Sequence, residues 1–382
     1  MRFDVAVVGL GVMGSAAVTQ FAKRGASVIG LEQFPRGHQF GSSTGRSRMI
    51  RKAYFEDPAY VPLLLRAYEL WRALERESDE TLLHLTGLLM VGKENSEIVA
   101  GATRAAQQHS LPLDYFTSRE IRSHYPMLKT EKDEVAVYEP DGGVLNPELC
   151  LATQLRIAEA AGAQLRFEVG LQGWEAMVDG GFRLRLTDDG VLFSQSLVMS
   201  LGPWFKNLLR DLSVPLRVQR NTQAWFNPST NKYAAGHFPS FLLDRHSLPA
   251  PLYGFPDFGD GVKAAFHGHG EFSEPDEIVR EIDRERDIEP IVRAMDQWMP
   301  GAATTFRAAK PCPYSLTPDG HFIVDRHPGH PRLVLCGGFS GHGFKFAPVI
   351  GEIAASLALE GGTNHDIDFL SLRRFAGAEK TR

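Results

Sequence analysis

The sequence predicts an α/β protein of two domains, one built on a mostly parallel sheet and the other on a mixed sheet. Three observations support this. The 382 residues are more than one small hydrophobic core can organise. A strand, a glycine-rich turn, a helix and a second strand follow one another at the N-terminus, which is the pattern of a β-α-β unit. The middle of the chain is richer in aromatic residues and prolines, which indicates a separate domain.

Composition excludes several classes of protein. Apolar residues make up 43% and charged residues 23% of the chain, as in an ordinary folded protein. The formal net charge of -5 argues against nucleic-acid binding, which needs clustered excess Lys and Arg. Three cysteines are too few for a disulfide framework and fit a reducing compartment. No apolar run reaches the roughly 20 residues of a membrane helix, and Asp4 interrupts the N-terminal apolar run that a signal peptide would need. We therefore expect a cytoplasmic protein with no membrane or nucleic-acid partner.

The N-terminal segment predicts the first β-α-β unit of the parallel sheet. Residues 3–8 are apolar enough for a buried strand. A helix follows to about Arg24 and ends at Gly25, and residues 26–31 form the second strand. This unit should open a mostly parallel sheet, and its crossover should be right-handed.

The turn between this strand and helix, Gly9-Leu-Gly-Val-Met-Gly14, fits the pattern G-x-G-x-x-G. Gly9 permits the tight turn, Gly11 lets the backbone approach a pyrophosphate, and Gly14 lets the helix pack close to the strand. Glu32 ends the second strand, where its carboxylate can accept hydrogen bonds from a ribose diol and would repel a 2′-phosphate. The turn therefore predicts a Rossmann-type dinucleotide site that disfavours NADP, but it does not separate FAD from NAD.

Further elements follow from apolar spacing and from helix caps. Asn146 and Pro147 are typical of an N-cap and a first helical position, so a helix starts there and ends at Gly162. Asp179-Gly180-Gly181 between two apolar runs predicts a hairpin. One long polar helix is predicted over about 275–298. The other predicted helices cover about 58–77 and 348–359, and the other predicted strands cover 164–168, 174–178, 182–186, 196–200, 222–226, 262–266 and 333–336.

The nucleotide-binding domain is expected to be discontinuous, because the chain returns to a short buried strand and a helix near its C-terminus. We expect residues 1–86, 144–215 and 313–382 to form this domain. Residues 87–143 and 216–312 are expected to form the second, substrate-binding domain, which is inserted into the first.

A basic tract lies soon after the second strand. Residues 41–52 carry four cations in the last seven positions, with hydroxyl side chains before them. Such a run is often a solvated basic face. Its position near the ribose-binding strand equally suits donors to cofactor phosphates and a guanidinium that binds a substrate carboxylate.

A glycine-rich segment, residues 337–346, lies between the last predicted strand and the last helix. Its four glycines suit a flat ligand that lies against the backbone, and Lys345 can stabilise negative charge or pair with a carboxylate. His342 is more often, in such a setting, a buried histidine whose ring is satisfied by a carbonyl. Cys312 lies between two prolines, which keep it off a helix. No cysteine or histidine spacing supports a metal site, and no nucleophile elbow supports a hydrolase.

Motifs along nearly the whole chain resemble one family. They are residues 8–14, 41–43, 48–54, 252–256, Cys312 with Tyr314, 317–322, 325–328 and 338–345. Together they resemble the sarcosine oxidase family of flavoproteins, which includes N-methyltryptophan oxidase and, most similar in these motifs, L-pipecolate oxidase. The resemblance implies a glutathione-reductase-like, DAO-type flavoprotein. It also implies oxidation of secondary amino acids to imines by hydride transfer to flavin N5, with dioxygen reduced to hydrogen peroxide.

The resemblance also implies roles for individual residues. Cys312 would carry FAD through a thioether to the 8α carbon of the flavin. Arg51 and Lys345 would hold the substrate carboxylate, and Lys263 would activate dioxygen. The residues matching the substrate cavity are Tyr253, His267 and Tyr314. The residues matching the surroundings of FAD are Gly9, Gly11, Gly14, Glu32, Ser42, Ser47, Arg48, Val169, Gly341, Gly343 and Lys345.

One position departs from the family, and several alternatives stay open. Relatives have a histidine where this chain has Thr44, so flavin reactivity or attachment is expected to differ. A flavin-dependent dehydrogenase that uses another electron acceptor, an NAD-dependent dehydrogenase and a non-catalytic nucleotide-binding module are the alternatives. The NAD-dependent reading leaves Cys312 and residues 337–346 without a role. The preferred amine cannot be read from the sequence, and nothing in it requires more than a monomer.

Overall fold

The computed structural model describes residues 1–208, 212 and 215–375. The predicted domain end at residue 382 lies outside these residues. In the described ranges the helices are α1 (Val12–Lys23), α2 (Val61–Ser78), α3 (Glu97–His109), α4 (Ser118–His124), α5 (Pro147–Ala160), α6 (Glu289–Trp298) and α7 (Ala347–Leu359). The strands are β1 (Arg2–Val8), β2 (Val28–Leu31), β3 (Arg48–Ile50), β4 (Leu83–Leu85), β5 (Leu88–Lys93), β6 (Asp114–Thr117), β7 (Glu134–Glu139), β8 (Gly143–Leu145), β9 (Gln164–Arg166), β10 (Leu171–Ala176), β11 (Phe182–Leu186), β12 (Val191–Met199), β13 (Arg217–Asn227), β14 (Ser240–Asp244), β15 (Leu252–Phe255), β16 (Val262–Phe266), β17 (Glu271–Phe272), β18 (Thr305–Leu316), β19 (Ile323–His327) and β20 (His330–Gly337).

An eight-stranded sheet contains the predicted β-α-β unit. Its centre is parallel, in the order β20-β12-β1-β2-β9. In β1 and β2, Val5 lies opposite Val28 and Val8 lies opposite Leu31. The predicted hairpin is formed by β10 and β11, and β11 pairs antiparallel with the start of β12. The mostly parallel sheet predicted from the sequence is therefore confirmed.

The helices that cover this sheet are held by apolar packing. α1 packs against both α5 and α7, and Val18 and Phe21 of α1 are completely buried. The predicted N-cap of α5 is confirmed, because the Asn146 side chain accepts a hydrogen bond from the N–H of Leu149 at 3.1 Å. These contacts fix α1, and with it the glycine turn that leads into it.

A nine-stranded mixed sheet forms the second layer of the molecule. β14 and β5 are parallel, whereas the other neighbours are antiparallel. Among the described residues β18 pairs only with β13. An edge strand tolerates prolines, since one row of its N–H groups has no partner strand. Pro311 and Pro313 can therefore flank Cys312 inside β18, which extends to Leu316. A small antiparallel sheet, β3-β8-β4, contains Arg48 at the start of β3.

The long polar helix predicted at about 275–298 is wrong, since only α6 is α-helical in that range. Arg220 in β13 explains the difference. Its guanidinium donates to the carbonyl oxygens of Val279 at 2.6 Å and Glu281 at 3.1 Å. An α-helix would need such carbonyls for its own N–H groups. The segment before α6 instead contains a 3-10 turn at Pro275–Glu277 and a π turn at Arg284–Ile288.

Candidate active site

A cavity of about 400 Å³ is lined by residues of both large sheets. Its wall includes the glycine turn after β1 and the end of β2, together with side chains from β13, β15 and β18. The residues predicted from the sequence that line it are Gly9, Gly11, Glu32, Ser42, Arg48, Arg51, Val169, Tyr253, His267, Cys312, Tyr314, Gly341, Gly343 and Lys345.

The glycine turn is shaped by contacts that only glycine permits. Gly9 has a φ of +88°, and a Cβ on it would lie 2.3 Å from the carbonyl oxygen of Ser200. A Cβ on Gly14 would lie 1.7 Å from the carbonyl oxygen of Gly9, so the start of α1 packs directly on the turn. The nearest atom to a Cβ on Gly11 is Ser43 Oγ at 3.3 Å, because this residue borders the cavity.

Backbone groups also fix the carboxylate of Glu32 beside this turn. Its Oε2 accepts from the N–H of Leu10 at 2.9 Å, and its Oε1 accepts from the N–H of Phe34 at 3.1 Å. Each carboxylate oxygen keeps a lone pair for a hydroxyl. The first turn of α1 borders the same part of the cavity, and a helix N-terminus attracts anions.

Two basic side chains hold the loop of residues 42–48 near the buried thiol of Cys312. A terminal nitrogen of Arg48 lies 3.5 Å from Cys312 Sγ and donates to the carbonyl oxygens of Ser42 and Thr44. Lys263 Nζ donates to the carbonyl oxygens of Gly45 and Ser47, each at 2.8 Å. Burial lowers the pKa of Lys263 well below its usual range, and the charge of Arg48 lowers it further.

Arg51 is buried beside a carboxylate that sequence reasoning missed. Its guanidinium carbon lies 4.3 Å from the ring centre of Tyr54 and 4.2 Å from that of Phe55. One terminal nitrogen donates to both oxygens of Glu56, at 2.6 and 2.7 Å. Burial raises the pKa of Glu56, but the hydrogen bonds from Arg51 and the nearby basic groups, chiefly Arg51, together outweigh burial and the pKa falls to about 2. Arg51 Nε is buried and has no acceptor among the described residues, so this guanidinium keeps a free donor.

Lys345 and His342 form the neighbouring part of the wall. Lys345 Nζ donates to the carbonyl oxygen of His342 at 2.7 Å. Burial and the charge of Arg51 lower the pKa of Lys345 to about 7. The His342 ring bonds to the Tyr54 hydroxyl and to the carbonyl oxygen of Gly320. Burial lowers the pKa of His342 to about 3. His342 is therefore a neutral, internally satisfied histidine.

Aromatic side chains form a further part of the cavity. The ring of His267 lies 6.3 Å from that of Tyr253 and 5.6 Å from that of Tyr314. Burial lowers the pKa of His267 to about 4 and raises the pKa of both tyrosines. These three groups are neutral near pH 7. Apolar side chains that also line the cavity are Met49, Phe55, Leu242 and Phe255.

Three predicted residues do not line the cavity. Gly14 lies behind the glycine turn. Ser47 belongs to the 42–48 loop but is not in the cavity wall, and Lys263 lies behind that loop, bonded to the Ser47 carbonyl oxygen. Sequence reasoning missed Glu56, for which the only signal was an acidic residue five positions after Arg51. It also missed cavity residues from distant segments, whose contribution depends on the fold. They include Trp204, Gln223 and Leu242.

Comparison with known protein families identifies the family to which the chain belongs. Residues 4–357 match the family described as DAO, FAD dependent oxidoreductase. The chain belongs to this family. This flavoprotein is accordingly an FAD-dependent oxidoreductase, and the predicted DAO-type fold is confirmed. Membership of this family supports FAD, rather than NAD, as the cofactor.

Curated relatives match this flavoprotein almost end to end. Monomeric sarcosine oxidase of Streptomyces avermitilis is 42% identical over 382 residues, which cover 98% of each chain. N-methyl-L-tryptophan oxidase of Yersinia pestis is 32% identical, with 98% of this chain and 100% of that protein covered. The resemblance to the sarcosine oxidase family is thereby confirmed.

Solved structures agree on the fold. NikD, an unusual amino acid oxidase essential for nikkomycin biosynthesis, superposes with a TM-score of 0.86 at 25% identity over 97% of both chains. L-proline dehydrogenase from P. horikoshii has a TM-score of 0.86 at 20% identity over 99% of both chains. The second likeness concerns the fold alone.

Among the described residues of the flavoprotein, no helix is long and apolar enough to span a bilayer. No group of three or more His, Cys, Asp or Glu side chains in those residues is arranged to hold a metal ion.

Proposed function

We propose that the protein is an oxidase of secondary amino acids that carries FAD covalently on Cys312. Its substrates would be sarcosine, other N-methyl amino acids, or cyclic amino acids such as L-pipecolate and proline-like compounds. One observation carries this proposal: two basic side chains, Arg51 and Lys345, line the cavity beside neutral aromatic groups. The names of the relatives, monomeric sarcosine oxidase and N-methyl-L-tryptophan oxidase, support the same substrate class.

The cavity wall offers partners for the pyrophosphate and ribose of FAD and space for its flat rings. The N–H groups at the start of α1 would hold the pyrophosphate, Glu32 the ribose hydroxyls, and Val169 would lie beside the adenine. When bound, FAD takes a hydride on N5 from the carbon that bears the amine and passes two electrons to dioxygen, which gives an imine and hydrogen peroxide. The cavity residues that would surround the remainder of FAD are Ser42, Arg48, Gly341, Gly343 and Lys345, and Ser47 would support them from the same loop without reaching the cavity.

Arg51 and Lys345 would bind the substrate carboxylate between them. Glu56 engages only one terminal nitrogen of Arg51. The other terminal nitrogen contacts the carbonyl oxygen of Ala53 at 3.5 Å, so it can donate to a second carboxylate without displacing Glu56. Lys345, with a pKa of about 7, is readily protonated when a carboxylate arrives. Binding of the carboxylate at two points fixes the orientation of the carbon that bears the amine. Efficient hydride transfer requires that orientation.

The uncharged side chains of the cavity wall would favour the unprotonated form of the substrate amine. Oxidation at carbon requires the amine without its extra proton. Tyr253, His267 and Tyr314 carry no charge near pH 7, so they desolvate the ammonium without stabilising it. Desolvation lowers the pKa of an amine. No separate general base is needed.

Lys263 would act on dioxygen from behind the 42–48 loop. It is buried, and its contacts in the described residues are carbonyl oxygens rather than carboxylates. Because burial and Arg48 lower its pKa, it can take up a proton as negative charge forms on dioxygen nearby. A positive charge held in place in this way stabilises the reduced oxygen species.

Oxygen consumption with a panel of secondary amino acids tests the oxidase. We expect one hydrogen peroxide for each dioxygen consumed with at least one of sarcosine, N-methyl amino acids and L-pipecolate. Turnover with an artificial electron acceptor, but without peroxide formation in air, would show a dehydrogenase instead.

Acid precipitation tests the covalent link. The wild-type pellet should stay yellow, and the flavin of Cys312→Ala should remain in the supernatant. Free flavin in the supernatant of the wild type would refute attachment to Cys312.

The remaining organisation stays a proposal. We propose that residues 1–86, 144–215 and 313–382 form the FAD-binding domain, and that 87–143 and 216–312 form the substrate-binding domain. Strand membership supports this, since the nine-stranded sheet draws on the second set apart from the end of β18. We further propose a cytoplasmic monomer. Its three cysteines are all free thiols in the structure, and relatives carry the name monomeric sarcosine oxidase.

A further inference from the structure

A third basic side chain, Lys310, holds the 42–48 loop from the strand that contains Cys312. Its Nζ donates to Thr44 Oγ1 at 2.6 Å and to Gln39 Oε1 at 2.8 Å. Lys310 thus ties two points of the irregular chain between β2 and β3 to β18. The loop is the same one that Arg48 and Lys263 hold through its carbonyl oxygens.

Lys310 lies on the same face of β18 as Cys312. Side chains two residues apart in a strand point to one side, and their Cα atoms are roughly 6.6 Å apart at about 3.3 Å per residue. Lys310 pairs with Gln223 of β13, and Cys312 pairs with Asn221. The ammonium group has no carboxylate partner in the described part of the chain, where its hydrogen-bond acceptors are one hydroxyl and one amide oxygen.

The hydrogen bond with Lys310 determines whether the Thr44 hydroxyl oxygen accepts or donates. A lysine ammonium only donates, so Thr44 Oγ1 must accept this hydrogen bond. The hydroxyl hydrogen of Thr44 is then free, and no acceptor for it is found among the residues described. Thr44 is 6% exposed and lines the cavity. The pair therefore adds a hydroxyl donor, backed by a positive charge, to the wall of the cavity that Cys312 also lines.

We propose that Lys310 and Thr44 form a positioning pair for the attachment of FAD to Cys312. The inference rests on the proposed covalent function. Lys310 holds the loop against β18 so that the thiol and the cofactor meet in one geometry, and it orients the Thr44 hydroxyl towards the bound group. Its charge adds to that of Arg48, which lies 3.5 Å from Cys312 Sγ.

The chemistry of attachment explains why a positive charge helps. The new bond joins Cys312 Sγ to the 8α carbon of the flavin, and it replaces the S–H bond and one C–H bond. The two electrons would pass to the flavin, and two protons are released. Dioxygen would then take up both the electrons and the protons, which gives hydrogen peroxide. Negative charge must form on sulfur and on the ring during this process, and nearby cations stabilise it.

The rate of attachment measures the effect. The full chain, produced under riboflavin starvation, is mixed with FAD in air, and acid-stable flavin is followed over time for the wild type, Lys310→Met, Lys310→Arg and Thr44→Val. We expect Lys310→Met to slow attachment about tenfold or more, the loss typical of one charge-assisted hydrogen bond. Thr44→Val should slow it severalfold, and Lys310→Arg should stay within about threefold of the wild type because it keeps the charge and a donor.

Two controls separate this role from a purely structural one. Lys232→Met removes an exposed lysine on a short turn that does not line the cavity and should attach FAD at the wild-type rate. The thermal midpoint and the dissociation constant of FAD before attachment are measured for each variant. Equal attachment rates for the wild type and Lys310→Met would overturn the inference. A slow rate that Lys310→Arg fails to restore, together with a lowered thermal midpoint, would also overturn it.

The wild-type sample distinguishes this inference from the proposed function. If the wild type forms no acid-stable flavin, covalent attachment itself fails and the pair has nothing to position. If the wild type attaches FAD and the variants attach it equally fast, only the role of Lys310 and Thr44 fails.

Discussion

The two parts of the cavity are built in different ways. The dinucleotide part, where we propose that FAD binds, is made by a contiguous turn in which backbone atoms of Gly9 and Gly14 are in close contact. The carboxylate-binding part, where we propose that the substrate carboxylate binds, is made by charged side chains from separate segments, chiefly Arg51, Glu56 and Lys345. The first depends on steric fit and the second on a balance of charges.

This difference determines how each part should respond to change. Backbone N–H groups and glycines do not titrate, so FAD binding by the turn should change little between pH 6 and pH 9. The carboxylate-binding part contains a lysine whose pKa is about 7 and a glutamate whose pKa is about 2. Substrate binding should therefore depend on pH, while cofactor binding should not.

The largest expected effect is steric and concerns Gly14. In Gly14→Ala the new Cβ would lie 1.7 Å from the carbonyl oxygen of Gly9, and backbone atoms cannot move aside cheaply. We expect a loss of more than about 4 kcal/mol in unfolding free energy and almost no bound flavin. Circular dichroism melts and the flavin-to-protein absorbance ratio measure both.

Gly11→Ala is the matched control for that change. A Cβ on Gly11 meets only Ser43 Oγ at 3.3 Å, so the thermal midpoint should stay near that of the wild type while FAD binds more weakly. A Gly14→Ala protein that melts normally with full flavin content would contradict the steric account.

The second largest effect is expected from removing the positive charge of Arg51. In Arg51→Leu the carboxylate-binding site loses one cation and Glu56 loses its partner. Removing one partner of a buried, hydrogen-bonded charge pair at a binding site costs about 2–5 kcal/mol of binding, so kcat/KM should fall by about 10² to 10³. Steady-state kinetics on the flavin-loaded enzyme measures this.

Arg66→Leu provides the control, because Arg66 pairs with Glu352 outside the cavity and both are partly exposed. Its kcat/KM should change less than about twofold. An equal loss in both variants would show that Arg51 acts through general stability.

The smallest effect is a pH dependence set by Lys345 and Glu56. It is measured as the affinity of the enzyme for cyclopentanecarboxylate, a ligand that has a carboxylate and no amine. Protonated Lys345 attracts it, so binding is strongest below the free-enzyme pKa of about 7. Binding then weakens as the pH rises through that value, by at most about tenfold per unit.

Two variants sharpen this profile. Glu56 raises the pKa of Lys345, so Glu56→Gln should shift the midpoint to lower pH. Lys345→Met should remove the dependence. A wild-type affinity that is flat between pH 6 and pH 9 would place the titrating group elsewhere.

The sequence predicted the parts of the molecule whose signals are local. The β-α-β unit, the hairpin at Asp179-Gly180-Gly181 and the cap at Asn146 depend on neighbouring residues, and the structure has each of them. The polar helix at 275–298 failed because Arg220, more than fifty residues earlier in the chain, binds the carbonyl oxygens of that segment. No local pattern shows such a contact.

The candidate site divides in the same way. Gly9, Gly11 and Glu32 were identified from a motif and its position after a strand, and all three line the cavity. Glu56 and the Lys310–Thr44 contact could not be found from spacing, because each depends on which segments the fold brings together.

The most direct test of the proposed chemistry is an anaerobic reduction. The purified yellow enzyme is mixed without oxygen with sarcosine, N-methyl amino acids and L-pipecolate in turn, and the visible flavin absorption is recorded. We predict that at least one of them bleaches the flavin within seconds, that air restores the colour with formation of hydrogen peroxide, and that Arg51→Leu bleaches far more slowly. A flavin that every one of these amino acids leaves oxidised would contradict the account.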